Sequence, residues 1–197
     1  MRAAAIGLLV LSGCASREAG IEVVVQAVVA NVSTAPARLT VTSVRGVSCF
    51  EFMAQRWSPL STAWAHGAHP SVETSPLRAD VNLSFDLSQA TQPTVATLRP
   101  PPGTWCALEV SFGPSTAQEP WGGTTLFVEL AGRRYLSTSA RTLQLPFLGR
   151  TLTTSSPLTL TVNLDAAPIA SVDPAAPDAR RELLDTILAS VSVSTSE

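Results

Sequence analysis

The sequence predicts a mainly β protein, an antiparallel β-sandwich with one C-terminal α-helix. Three observations carry this. Short segments alternate apolar and polar residues with the period of two that a half-buried strand requires, and Leu158, Leu160, Val162 and Leu164 give the clearest case. Turn-forming clusters such as Pro100-Pro101-Pro102-Gly103 separate these segments. Toward the C-terminus the period changes, and Leu183, Leu184, Ile187, Leu188 and Val191 recur at helical spacing.

The elements follow in order. Residues 21–29 (IEVVVQAVV) are apolar and β-branched, as a buried strand is. A turn cluster at 31–36 precedes a second strand over 37–47, where Leu39, Val41 and Val44 break strict alternation, the mark of a bulge. Residues 49–53 read as its continuation. Residues 54–79 lose regularity, punctuated by Pro59, Gly67, Pro70 and Pro76; so long an irregular stretch within a domain is often functional. Strands then follow over 80–87, 94–98 and 104–112, the last with Cys106, Leu108, Val110 and Phe112 on one face. A hairpin around Ala131-Gly132 joins 124–130 to 134–137, and 142–148 and 158–164 complete the strands. Asp173-Pro174 offers a helix start, so a packing helix is expected over about 175–190. Many short strands with turns between them resemble Ig-like and transthyretin-like sandwiches.

At 197 residues and 20.6 kDa the chain suits one domain beyond a targeting segment. The division expected is a signal over 1–13, a lipidated cysteine and tether over 14–20, a sandwich over 21–165, and a linker with an amphipathic helix over 166–197. The formal net charge is −2 and all thirteen basic residues are arginine. With no basic patch in the sequence, nucleic acid is not an expected partner.

The start supplies an address. Arg2, an apolar run from Ala3 to Leu11 and the small residues Ser12-Gly13 have the secretory layout. The charged region is short, as expected if the start codon lies upstream. Leu11-Ser12-Gly13-Cys14 resembles the lipobox of bacterial lipoproteins. The resemblance implies diacylglycerol on the Cys14 thiol and cleavage just before it, with the membrane as a partner through that lipid. Several acyl chains hold a protein stably where one does not. Ala15 stands where the family's inner-membrane retention signal has aspartate, which implies the cell envelope, on the outer membrane, facing periplasm or cell surface.

With Cys14 acylated, Cys49 and Cys106 remain. In an oxidising compartment such a pair reads as a disulfide, worth ~4 kcal/mol in the chain-entropy model.

The two histidines, His66 and His69, stand in the irregular segment Trp64-Ala65-His66-Gly67-Ala68-His69-Pro70. Two imidazoles provide half of a tetrahedral metal site, and Gly67 lets both rings turn to one ion. Met53, Glu73, Asp80 or a modified Trp64 are candidates for a third donor. A solvated loop without a ligand is the simpler alternative. The order of parts, with Pro101-Pro102-Gly103-Thr104-Trp105 before a strand, resembles the copper-binding periplasmic β-sandwich proteins of methanobactin gene clusters. That resemblance implies copper as cofactor, His66 and His69 as ligands, and Trp64 as an oxidised tryptophan beside them.

No Gly-x-Ser-x-Gly, phosphate loop or His-Glu-x-x-His occurs, so an enzyme is not expected. The reading is a non-enzymatic binding or structural domain. The alternative is a carbohydrate-binding or other envelope-recognition module, with Trp57, Trp64, Trp105 and Trp121 as a stacking platform.

Overall fold

The computed structural model describes residues 22–57, 76–116, 122–147, 152–153 and 157–196. Eleven strands are assigned in these residues. They are β1 (Val23–Ala30), β2 (Ala37–Ser48), β3 (Arg78–Asp86), β4 (Thr94–Leu98), β5 (Thr104–Phe112), β6 (Leu126–Leu130), β7 (Arg133–Ser137), β8 (Arg141–Pro146), β9 (Leu152–Thr153), β10 (Leu158–Asp165) and β11 (Ser192–Ser196). Helix α1 (Cys49–Trp57) follows β2, and α2 (Ala179–Ala189) precedes β11. The strands form two sheets, as the alternating sequence leads one to expect.

The first sheet has the order β11-β10-β1-β4. β1 and β10 pair in parallel over their full length, Val23 opposite Leu158 and Ala30 opposite Asp165. This corrects the all-antiparallel expectation; the other pairs in both sheets are antiparallel. Parallel neighbours need a long crossover, and here most of the domain is that crossover.

In the second sheet β3 lines one edge of β2, from Arg38 opposite Asp86 to Arg45 opposite Arg78. Its other edge is shared end to end, β6 pairing with Ala37–Leu39 and β5 with the stretch from Val41 to Ser48. β5 and β6 therefore run in line, interrupted by residues 113–125. Ser115 N donates to Thr124 O at 3.0 Å and Gly123 N to Ser115 O at 2.8 Å, closing the neck of that excursion. β7 and β8 return along the same line on the far side. The hairpin turn is the expected Ala131-Gly132, with φ of 51° and 74°. Left-handed backbone at both positions suits the twist of the paired strands.

The core lies between the sheets. Val23, Val25, Ala27 and Val29 alternate into it from β1, and Leu160, Val162 and Leu164 from β10. They meet Leu39, Val41 and Val44 of β2 and Leu108, Val110 and Phe112 of β5. From α2, Leu183, Leu184, Ile187 and Leu188 complete it, all buried as their helical spacing implies.

Two expectations fail locally. Residues 49–53 do not extend β2 but form α1, because Ser48 Oγ accepts from Glu51 N at 3.2 Å and caps a helix. Helix α2 starts at Ala179, not near 175, since Asp173 spends its carboxylate on Ala175 N at 2.8 Å in a turn. The C-terminal segment also supplies more than the expected packing helix. Beyond α2 it adds β11 to the first sheet, with Val193 opposite Val162.

The outer faces differ. On the first sheet, Ser192, Ser194 and Ser196 stand beside Asn163, Thr161 and Thr159, which in turn stand beside Val28, Gln26 and Val24. No ionisable side chain lies among these nine. The second sheet instead carries α1 on its outer face. Beneath it Val47 and Ala107, a cross-strand pair, are fully buried yet lie outside the main core cluster.

Candidate functional site

The polar and covalent contacts that gather most closely lie where α1 meets β2 and β5. In pairing with β2, β5 skips one residue: Val47 faces Ala107 and Ser48 faces Trp105, so Cys106 is bulged out. A bulge re-aims side chains. It brings Trp105 to the core side, 8% exposed, and leaves Cys106 half-buried, off the inner face it was expected to share with Leu108, Val110 and Phe112. Cys106 there bridges Cys49, the first residue of α1, with Cα atoms 4.7 Å apart. The disulfide expected from the sequence is present, but it joins a bulge to a helix rather than two strands.

Arg45 holds the same junction by charge. Its Nε and Nη2 donate to the two carboxylate oxygens of Glu109 at 3.1 and 2.9 Å, and Nη1 donates to Glu51 at 2.8 Å. The paired fork to one carboxylate is the strong geometry for arginine. The hydrogen bonds to Glu109 raise the Arg45 pKa above its ordinary value, with burial opposing and Glu51 adding to the rise. This group binds a helix to a sheet.

Trp105 lies against Gly46 of β2, where a Cβ would stand 3.4 Å from ring atom Cε3. Its indole N–H is buried with no hydrogen-bond partner among the described residues, and a buried donor left so costs about 1–3 kcal/mol. Burial removes Trp105 from any exposed stacking platform, a correction to that expectation.

Cys14, Trp64, His66 and His69 lie outside the described residues, as do Glu73 and Trp121. Of the proposed third donors, Met53 is half exposed on α1, and Asp80 on β3 accepts from Arg78 Nε at 2.8 Å. Among the described residues no three His, Cys, Asp or Glu come together to hold a metal. A depression along α2, lined by Asp178, Arg181, Glu182, Asp185, Thr186 and Ala189, is a surface of mixed charge, with Arg181 Nε 3.4 Å from Asp185.

Sequence reasoning missed the Arg45–Glu109–Glu51 group and α1 itself. Ser48-x-x-Glu51 has the spacing of a helix-start capping box, and could have revealed the helix. Pairing Arg45 with Glu109 needed the sheet register, which no local signal supplies. No family model matches the chain, and no curated protein or solved structure matches it.

Proposed function

We propose that the chain is a lipid-anchored domain of the bacterial cell envelope, placed on the outer membrane, whose β-sandwich binds or braces and performs no catalysis. The observation that carries this reading is Leu11-Ser12-Gly13-Cys14 directly after an apolar run. Residues 15–22 between that cysteine and β1 reach at most about 30 Å when extended, so the sandwich stays close to the bilayer. A disulfide between Cys49 and Cys106 agrees with an oxidising compartment. Among the described residues no helix is long and apolar enough to cross a membrane, so attachment in this reading rests on Cys14.

The test is direct. Cells expressing the full chain and fed labelled palmitate should incorporate label into the wild type and none into Cys14→Ser, which should leave the membrane fraction. An unlabelled wild type would overturn the anchor. A copper site at His66, His69 and Trp64 is a second reading, favoured by the His-x-x-His spacing beside a tryptophan. Copper analysis of the purified chain should show metal in the wild type that is lost in the His66→Ala/His69→Ala variant. Equal Cu(I) affinity in both would end that reading. The carbohydrate-recognition alternative has to do without Trp105.

A further inference from the structure

β11 is an edge strand of the first sheet, paired with β10 on one side and with no described strand on the other. Unpaired edges recruit other strands, and proteins guard them with charges, prolines, bulges or covering segments. The other described edge strands of five residues or more are guarded. β4 lies between Pro93 and Pro100 and has a register shift against β1. β3 carries Arg78, Asp80 and Asp86 and has a shift against β2. β7 begins with Arg133 and Arg134, and both Arg133 Nη1 and Tyr135 Oη donate to Pro174 O, at 3.1 and 2.6 Å. β8 begins at Arg141 and ends at Pro146.

Within Ser192-Val193-Ser194-Thr195-Ser196, β11 has no charge, proline or bulge. Its sequence is also nearly the same read in either direction about Ser194. Two such strands laid antiparallel with Ser194 facing Ser194 place serine opposite serine on the outer face, and Val193 opposite Thr195 on the core side. Both faces then match, as an isologous contact requires.

We propose that two copies of the chain pair β11 to β11 across a twofold axis at Ser194, joining their four-stranded sheets into one continuous sheet. The junction adds roughly four to six backbone hydrogen bonds. Among the described residues it brings no like charges together, since the neighbouring outer-face residues Thr159, Thr161 and Asn163 are neutral.

Disulfide trapping reads the register. Single cysteines are placed in the full chain with Cys14→Ser, so that the introduced thiol is the one left unpaired beside Cys49–Cys106. Residues facing each other across antiparallel strands have Cα atoms about 4.5–5.5 Å apart, within the span a disulfide bridges. Ser194→Cys should therefore give a covalent dimer of twice the 20.6 kDa chain mass under mild oxidation. Ser192→Cys alone should not, because the two copies of that residue stand about 13 Å apart in this register. Mixing Ser192→Cys with Ser196→Cys should restore the bridge. Ser194→Glu, tested without cysteines, sets like charges opposite each other and should weaken self-association about fivefold in sedimentation equilibrium. Ser194→Cys that stays monomeric overturns the proposal, as it would if the edge took an unrelated strand. Ser192→Cys that bridges as readily as Ser194→Cys also overturns it, since that signals another register or chance collision.

Discussion

The outer faces of the two sheets solve one problem in opposite ways. Each belongs to strands whose other face fills the shared core. The second sheet covers part of its outer face with α1, burying Val47 and Ala107, and fixes the cover with Cys49–Cys106 and the Arg45–Glu109–Glu51 group. The first sheet leaves Thr159, Thr161 and Asn163 partly open to solvent, and short hydroxyl and amide contacts such as Asn163 Nδ2 to Ser194 Oγ at 3.1 Å suffice there. The covered face needs directional bonds because a nine-residue helix is too short to be stable alone. The open face needs no ion pair or covalent link, because its strands are already paired and already buried on the other side. Charge and covalent chemistry collect where a weak element must be held.

That contrast can be broken or sharpened by substitution, in order of expected effect. The largest comes from the face both sheets share. Leu164→Ala on β10, where the native side chain is 1% exposed, should cost about 2–5 kcal/mol. Urea unfolding should show a lower midpoint with an unchanged slope; a loss under 1 kcal/mol would mean that the first sheet does not depend on the core.

Next is the staple. Cys49→Ser with Cys106→Ser should cost about 2–4 kcal/mol and raise hydrogen exchange in α1 well before β1 and β10. Equal exchange across both sheets would show that the disulfide supports the whole sandwich and not the helix.

Arg45→Met keeps most of the side chain's volume and removes its three charge-assisted hydrogen bonds to Glu109 and Glu51, so a loss of about 1.5–3 kcal/mol is expected. Because folding raises the Arg45 pKa, the contribution of its own proton is fully present below the ordinary arginine value. It is lost only as pH rises through the higher folded value, so Arg45 titration should add no pH dependence to stability near neutrality. The smallest effect belongs to the open face. Thr161→Lys should change stability by under about 0.5 kcal/mol, and a larger loss would show that this face is packed against something.

The sequence by itself determined which residues face inward along most strands. Residues 94–98 and 104–112 match β4 and β5 at both ends, and the turn at Ala131-Gly132 lies where its residue types put it. The pairing of Cys49 with Cys106 was legible once Cys14 was set aside as part of the lipobox-like start. Side chains carry these signals locally, through period two, turn chemistry and thiol number. The tertiary structure alone decided that β1 lies parallel to β10, that β5 and β6 share one edge of β2, and that Cys106 bulges outward while Trp105 turns in. It also decided β11, where a single strongly apolar residue, Val193, gives too faint an alternation to read. The physical reason is common to all of these. Strands choose partners through backbone N–H and C=O groups that are nearly identical at every residue, so the choice is made by how the whole set of buried faces packs together.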